Sequence, residues 1–359
     1  MIRLYRMALL LLPAELRRKH GAVMETLFAR EVDNARAQGR LHGVLAAVTG
    51  IWDVLTRASY EQVRPSYRID TESAHPEGSH MEGPLVPLPS TARLLRRHAV
   101  SFTVAFVVLT GMMLLSYARR QIPALDAMGA GTDTIVEALL LAVPFTAVMT
   151  IPMAVFVAVL HEFTRLGANG TLADARRVHH GVRRLVVPVL AAGAVVAALA
   201  LVVTTQVLPR TNARLTAVLT GRAAVQNDRA MTVGELLEAA RNAGPRGDRD
   251  ALARIAAYEV EVHKKFALPA ACLVLAMAGM AIAWRFPRGG TWMLLGASLA
   301  VFSAYYVMLM AGESLADQLV VPPLVAMWGA NALVLTVVLL AVWWRRGVPS
   351  GRGPVSISG

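Results

Sequence analysis

Six long apolar runs dominate this chain of 359 residues, at positions 99–118, 138–160, 185–208, 266–284, 291–311 and 319–344. A helix rises about 1.5 Å per residue, so about 20 residues cross the roughly 30 Å of hydrocarbon in a bilayer. A helix also satisfies its own backbone hydrogen bonds in lipid, whereas an open strand does not. The sequence therefore predicts an all-α integral membrane protein with six transmembrane helices.

The composition agrees with this prediction, since 55% of the residues are hydrophobic and only 17% are charged. The early apolar run at residues 7–12 is too short for a seventh span, and no small-residue cleavage site follows it, so no signal peptide is expected. Cys272 is the only cysteine, which excludes an intrachain disulfide and a cysteine metal cluster.

The distribution of Lys and Arg predicts the orientation, because cytoplasmic flanks of membrane helices retain positive charge. Of the 36 basic residues, 12 fall on one side of a six-span topology: Arg119, Arg120 and ten between positions 210 and 265. The remaining 24 fall on the other side, together with both termini. We therefore expect cytoplasmic N- and C-termini. The net charge of +12 suits anionic lipid headgroups, and no nucleic-acid partner is predicted.

The chain divides into six predicted segments. Residues 1–62 form a cytoplasmic helical prefix, with Leu16, Val23, Leu27 and Val32 on one stripe of a first helix and a second helix over 41–60. Residues 63–91, rich in Pro, Ser and Gly, form a flexible linker. Residues 92–212 hold spans 1–3, residues 213–265 a short helical exterior segment, residues 266–346 spans 4–6, and residues 347–359 a disordered tail.

Several motifs occur in order along the membrane part. VLPRTNARL follows the third span, HKKFALPAACLVLA opens the fourth and RGG closes it, YY and GES lie in the fifth, and PPLVAMWGAN opens the sixth. In order and spacing they resemble the LptF/LptG (YjgP/YjgQ) family of lipopolysaccharide-export permeases, over residues 92–346. The opening LYRMALLLLPAELRRKHGAVMETLF resembles the helical prefix of some bacterial ABC permeases.

The resemblance implies a 3+3 arrangement of spans in the bacterial inner membrane. It also implies that the cytoplasmic loop 161–184 holds a coupling helix that docks into an ATPase partner. Matched onto NGTLADARRVHHGVRRLVVPV, this helix starts at Thr171 as its cap, with Asp174 completing a capping box. Leu172, Ala175 and Arg176 are then expected to face the partner. The acidic residue usual near Thr171 and the glycine usual near His179 are absent here.

The exterior segment departs from the family, which carries a β-jellyroll between its third and fourth spans. The stretch from Leu215 up to Met231 holds only 16 residues, 215–230, and a jellyroll needs about eight strands of about five or six residues each. We therefore expect no jellyroll. The rest of this segment predicts two helices, VGELLEAARNAG and DRDALARIAAYEVEVHKK.

Basic residues at the outer ends of two spans are candidates for lipid contact. The resemblance implies that Arg119 and Arg120, with Lys264 and Lys265, meet the phosphates of a lipid; the alternative is that they anchor the helices at the headgroups. Asn331 is expected to form an interhelical hydrogen bond, and Glu313 and Asp317 to be solvated carboxylates in an exterior turn. Pro322 and Pro323 are expected to kink the sixth span.

The sequence contains no G-x-x-x-x-G-K-[ST] phosphate loop and no catalytic constellation, so we expect neither an enzyme nor a bound cofactor. The resemblance implies the permease subunit of an ABC-type lipid exporter, driven by a separate ATPase dimer. Its other partners would be a second permease subunit (an identical or a related chain), a membrane lipid or lipopolysaccharide as substrate, and a periplasmic acceptor protein. Two alternatives stay open: a membrane scaffold or regulator that does not transport, and a permease for a smaller amphiphile or peptide.

Overall fold

The computed structural model describes residues 14–38, 88–127, 129, 131–178, 180–220, 228–244, 248–287 and 289–346, with Tyr5, Arg6, Leu9 and Val54. Two units, Met1–Pro84 and Leu85–Gly359, are each compact. Within the described ranges there is no β-strand, and six helices are long and apolar enough to cross a membrane. The all-α, six-span prediction is confirmed. The predicted tail, nearly all of the second prefix helix and most of the linker lie outside the described residues.

The first unit contains helix α1 (Ala14–Gln38). Phe28 and Val32 are buried one turn apart, and the ring of Tyr5 stacks on Phe28 at a centroid distance of 3.8 Å. Val23 and Leu27 are more than half exposed. The buried face of α1 is therefore centred on Phe28 and Val32, and Val23 and Leu27 of the predicted stripe lie outside it.

The second unit holds nine helices among the described residues: α2 (Thr91–Ala127), α3 (Thr132–Ala168), α4 (Thr171–Arg177), α5 (Gly181–Val202), α6 (Leu208–Thr220), α7 (Val233–Asn242), α8 (Arg249–Arg285), α9 (Thr291–Asp317) and α10 (Pro323–Arg346). A π-helical turn, Val203–Val207, joins α5 to α6 within the third span. A 3₁₀ turn, Asp228–Ala230, precedes α7.

Helices α3 and α8, the second and fourth spans, form the centre of this unit. In each, 67% of the most apolar stretch is buried, against 11% in α2 and in α9. Helix α3 packs against α2, α5, α6 and α8, and α8 packs against α3, α5, α7 and α10. Phe156 of α3 and Leu275 of α8 are completely buried. The remaining spans are largely exposed on the outside of this pair, as expected of helices that face lipid.

The fourth and sixth spans begin at other residues than predicted. The exterior helix predicted over 248–265 and the fourth span are one continuous helix, α8, which begins at Arg249 behind the cap Asp248. The sixth span begins at Pro323 and not at Leu319, which has a positive φ of 60° in the preceding turn. Pro323 is the first residue of α10, where a missing N–H costs no helical hydrogen bond. The predicted kink at Pro322 and Pro323 is therefore wrong.

The exterior segment is short and helical in its described parts. Thr232 caps α7: its side chain accepts a hydrogen bond from the backbone N–H of Glu235, and the Glu235 carboxylate accepts one from the N–H of Thr232. The Glu235 carboxylate also accepts a hydrogen bond from the Thr232 hydroxyl. The bond from the backbone N–H of Thr232, and after it the bond from the hydroxyl, lower the pKa of Glu235. This capping box gives the ten-residue α7 a defined start.

Candidate functional site

The predicted coupling loop contains helix α4, but its cap and exposed face differ from the expectation. Gly170 is the N-cap, with a positive φ of 78° that glycine adopts without strain, and no side chain caps the helix. Thr171 is therefore the first helical residue, and the predicted capping box with Asp174 is wrong. Leu172 is buried, so it does not offer a surface to a partner.

The exposed face of α4 is small and basic. Ala175 is buried together with Thr171 and Leu172, whereas Ala173, Arg176 and Arg177 are exposed. Of the three residues expected to face a partner, only Arg176 is accessible. Arg177 lies 3.9 Å from the Asp174 carboxylate, a loose ion pair.

Contacts with the end of α8 hold the coupling loop in place. The guanidinium of Arg176 lies 6.0 Å from the centroid of the Trp284 ring. The backbone at Gly167 approaches Pro287 so closely that a Cβ atom would lie 2.7 Å from the Pro287 oxygen. The loop thus contacts the end of the fourth span at two points, while α4 itself packs mainly against α3 and α5.

A buried ionic cluster lies between α2 and α3, a few residues before α4. Glu162, 1% exposed, accepts a hydrogen bond from the Ser101 hydroxyl at 3.0 Å, and its other oxygen lies 2.9 Å from Arg165 Nη2. His161 Nδ1 lies 3.4 Å from the first oxygen. His161 and Glu162 directly follow the predicted second span at 138–160, but α3 continues to Ala168 and so carries both of them.

At the other end of the bundle, Lys264 lies between two carboxylates. Its Nζ atom is 2.8 Å from Glu261 Oε1 and 2.7 Å from Glu313 Oε1. Arg229 approaches the same two oxygens at 3.7 Å each. The expectation that Glu313 is a solvated carboxylate in a turn is wrong, because Glu313 lies within α9 and pairs with the fourth span.

Lys265, the next residue, has a different environment. Its side chain is 3% exposed, and its Nζ atom has no hydrogen-bond partner among the residues that the structure describes. Its carbonyl accepts a hydrogen bond from the hydroxyl of Thr204, in the π-helical turn of the third span, at 3.1 Å. The two predicted lysines thus divide into one that is paired and one that is not.

The four predicted lipid-contact residues do not form one cluster. Arg119 and Arg120 are exposed near the end of α2, and α2 packs mainly on α3 and α5. Lys264 and Lys265 are buried in α8. Asn331 behaves as predicted: its amide donates to the carbonyl of Ala267 at 2.9 Å and so joins α10 to α8.

An apolar groove of about 380 Å³ opens between the first, second and fifth spans. Leu109 and Met113 of α2 line it with Met153 and Phe156 of α3 and Phe302 of α9. Such a groove fits hydrocarbon chains better than a polar solute. No metal-binding group of three or more His, Cys, Asp or Glu side chains occurs in the part of the chain that the structure describes.

Comparison with known proteins shows which family the chain matches. The family model described as "Lipopolysaccharide export system permease LptF/LptG" matches residues 93–223 and 219–345, well over half of the chain and all six spans. No curated protein matches the sequence. The family and the six apolar helices establish a multi-pass inner-membrane protein and a permease component without enzymatic activity of its own. The chain belongs to the LptF/LptG family of lipopolysaccharide export permeases.

Proposed function

We propose that this chain is the transmembrane subunit of an ABC-type lipid exporter, with a separate ATPase dimer as its source of energy. The observation that carries the proposal is the packing of α4 against α3 and α5. Leu172 and Ala175 are buried on one side of this short helix, the exposed Arg176 lies over the ring of Trp284, and Ala173 and Arg177 are also at the surface. A helix that is packed on one side and exposed on the other is suited to pass on a movement of a partner protein that binds its exposed side.

Movement of α4 would reach the lipid path through α8 and α3. Pro287 follows α8 and touches Gly167 at the end of α3. Helix α3 lines the apolar groove together with α2 and α9. Closure of the ATPase dimer would thus tilt α3 and α8 and narrow the groove, expelling the lipid. We also propose that α4 and both termini lie on the cytoplasmic side of the membrane, and that Arg119 and Arg120 contact lipid headgroups on the outer side.

Delivery of the lipid requires other chains. The described residues between the third and fourth spans form only the 3₁₀ turn Asp228–Ala230 and the helix Val233–Asn242. This segment has no room for a jellyroll. We propose that a second permease subunit, identical or related, completes the lipid cavity, and that a periplasmic acceptor protein takes the lipid onward.

Gentle extraction of the tagged chain from its native membranes tests this function. Mass spectrometry of the complex is expected to identify an ABC ATPase subunit, and Arg176→Glu/Arg177→Glu is expected to remove it. Arg241→Glu/Arg249→Glu is the matched control, because it reverses two exposed charges far from α4. Absence of an ATPase from the wild-type complex would favour a scaffold or regulator that does not transport.

A further inference from the structure

A carboxylate is buried in the second span, close to the junction with the coupling loop. Glu162 of α3 is 1% exposed, and its neighbours Leu160 and Phe163 are completely buried. Ionisable side chains inside membrane helices are rare and usually mark functional positions. Neither the apolar groove nor the exposed face of α4 includes this carboxylate, so its position requires an explanation of its own.

The charge of Glu162 is balanced by groups of its own helix. Arg165, one turn further along α3, places Nη2 2.9 Å from Oε2 of the carboxylate. The ring of His161 brings Nδ1 to 3.4 Å from Oε1. Taking an ion pair out of water is costly, so a buried pair is weak evidence for a role in stability alone. The contacts of Glu162 with other helices are therefore of interest.

Ser101 of α2 supplies a contact with the first span. Its hydroxyl donates to Oε1 of Glu162 at 3.0 Å, and its Oγ atom lies 3.3 Å from Nδ1 of His161. A hydrogen bond to an ionised group is stronger than one between neutral groups, and a surrounding of low dielectric strengthens it further. Ser101 thus attaches the first span to the ion pair of the second.

A second polar side chain of α2 contacts α3 beside Ser101. His98, three residues earlier and so on the same face of the helix, is 7% exposed. Its ring meets the ring of Phe163 edge to face, with 5.9 Å between the centroids. Deeper in the membrane, the hydroxyls of Thr110 and Thr150 join the same two helices at 2.7 Å without any charge. The charged contact is therefore at the end of α2 that lies nearest the coupling loop.

These contacts lie between the coupling helix and the apolar groove. Helix α3 ends at Ala168, only two residues before α4 begins at Thr171, and α4 packs against α3. On the other side, Ser101 is about two turns before Leu109, which lines the groove together with Met153 of α3. A displacement at the end of α3 would therefore reach α2 at Ser101, ahead of the groove.

We propose that Ser101 and Glu162 are a positioning pair, through which a movement of the coupling helix passes from the second span to the first. Arg165 fixes the carboxylate on α3, and the hydroxyl of Ser101 makes the start of α2 follow it. The inference deepens the proposed function and rests on it for the ATPase that moves α4, whereas the contact between the two spans belongs to the isolated chain.

Distances between pairs of spin labels test the link, in the complex of the full chain with the ATPase recovered from its native membranes. The labels are attached to exposed positions of a Cys272→Ala chain: Arg96→Cys in α2 or Ala173→Cys in α4, each paired with Trp343→Cys in α10. Helix α10 serves as the reference because it packs on α8 and α9 and not on α4. We expect a non-hydrolysable ATP analogue to shift both distances when Ser101 is present.

Substitutions of Ser101 separate the link from a merely structural role. Ser101→Ala should abolish the shift of the first span but leave the shift of α4, whereas Ser101→Thr, which keeps the hydroxyl, should retain both. Thr103→Ala is the matched control, because it removes an exposed hydroxyl of the same helix that bonds only to the carbonyl of Ala99 among the described residues.

The remaining outcomes would overturn the proposal. In Ser101→Ala, loss of both shifts would indicate general damage to the fold, and retention of both would show that the first span moves without this contact. Loss of the first-span shift in Thr103→Ala as well would remove the special role of Ser101. If Ser101→Ala does not fold, Glu162→Ala/Arg165→Ala takes its place, since it removes the carboxylate together with its counter-charge. The same selective loss is expected of it.

Measurements on the isolated chain separate this inference from the proposed function. Without an ATPase, the distribution of distances between labels at 96 and 343 should be broader in Ser101→Ala than in the wild type or in Ser101→Thr. If it broadens but no ATPase is recovered from native membranes, the contact between the spans stands, and the exporter function fails together with the coupling role. If an ATPase is recovered but the distribution in the isolated chain does not change, the function stands and the link through Ser101 is wrong.

Discussion

Lys264 Nζ lies 2.7 Å from Glu313 Oε1, and this ion pair joins the fourth span to the fifth. Glu313 is 19% exposed and Lys264 10%, so water screens the pair only in part. The same ammonium also binds Glu261, one turn before it in α8. One lysine thus fixes the position of α9 relative to the central helix at the end of the bundle that carries the exterior segment.

Removing the Glu313 carboxylate is expected to destabilise the fold. Glu313→Ala leaves Lys264 with Glu261 alone, and we expect the free energy of unfolding to fall by about 2 kcal/mol. Lys264→Met/Glu313→Ala should lose less than the sum of the two single variants, because the two residues interact. Chemical unfolding of the purified protein in detergent measures this. Strict additivity would show that the two side chains contribute independently.

The two sides of α4 are expected to respond differently to substitution. Leu172→Ala opens a cavity beneath the helix and should lower the free energy of unfolding by roughly 2–3 kcal/mol. Arg176→Ala removes only an exposed cation–π contact, so its effect should stay below about 1 kcal/mol. Recovery of an ATPase with each purified variant supplies the second measurement. Loss of the ATPase with Leu172→Ala, but full recovery with Arg176→Ala/Arg177→Ala, would contradict the assignment of the exposed face.

Two glycines of the same helix provide a matched pair. A Cβ atom on Gly312 would overlap the carbonyl oxygen of Ala326 in α10, whereas one on Gly296 would meet nothing within 4 Å. We expect Gly312→Ala to lower the free energy of unfolding by about 1–3 kcal/mol through overpacking, and Gly296→Ala to leave it unchanged or slightly higher. Thermal unfolding in one detergent compares them. Equal changes in the free energy of unfolding for the two variants would show that the close contact between Gly312 and Ala326 does not contribute to stability.

The capping box of α7 is expected to make the start of this helix sensitive to acid. The folded-state pKa of Glu235 lies below its ordinary value of 4.5 because Thr232 donates to the carboxylate. Its stabilising contribution is therefore complete above the ordinary value and is lost as the pH falls through the folded-state pKa. Amide-exchange protection of residues 233–242 should decrease over this range in the wild type but not in Glu235→Gln. The same decrease in both would assign it to another group.

The spans could be predicted because an apolar run of about 20 residues has few alternatives to a membrane helix. Their ends could not. The polar stretch before Phe266 contains no helix-breaking residue, so α8 continues back to Arg249, while its charges suggested a separate exterior helix. Leu319 is apolar, but it adopts a positive φ in the turn before α10. Hydropathy alone does not report either feature.

Individual residues of the candidate site could be named from the sequence, but the contacts between them could not. Lys264 and Glu313 are 49 residues apart in the sequence, and only the packing of α8 against α9 brings them together. For α4, the loop and its helix followed from the family resemblance, whereas the buried face depended on the packing of α4 against α3 and α5. The sequence does not indicate that Lys264 forms two ion pairs while Nζ of Lys265 forms no hydrogen bond within the described residues.

The most direct test of the exporter function is ATP hydrolysis by the chain reconstituted in nanodiscs with the ATPase recovered from its native membranes. We predict that added lipopolysaccharide or another anionic amphiphile stimulates hydrolysis, and that Arg176→Glu/Arg177→Glu abolishes the stimulation while Arg241→Glu/Arg249→Glu retains it. Hydrolysis at the same rate with and without every such lipid, in an intact complex of chain and ATPase, would contradict the proposal that this protein is the membrane subunit of a lipid exporter.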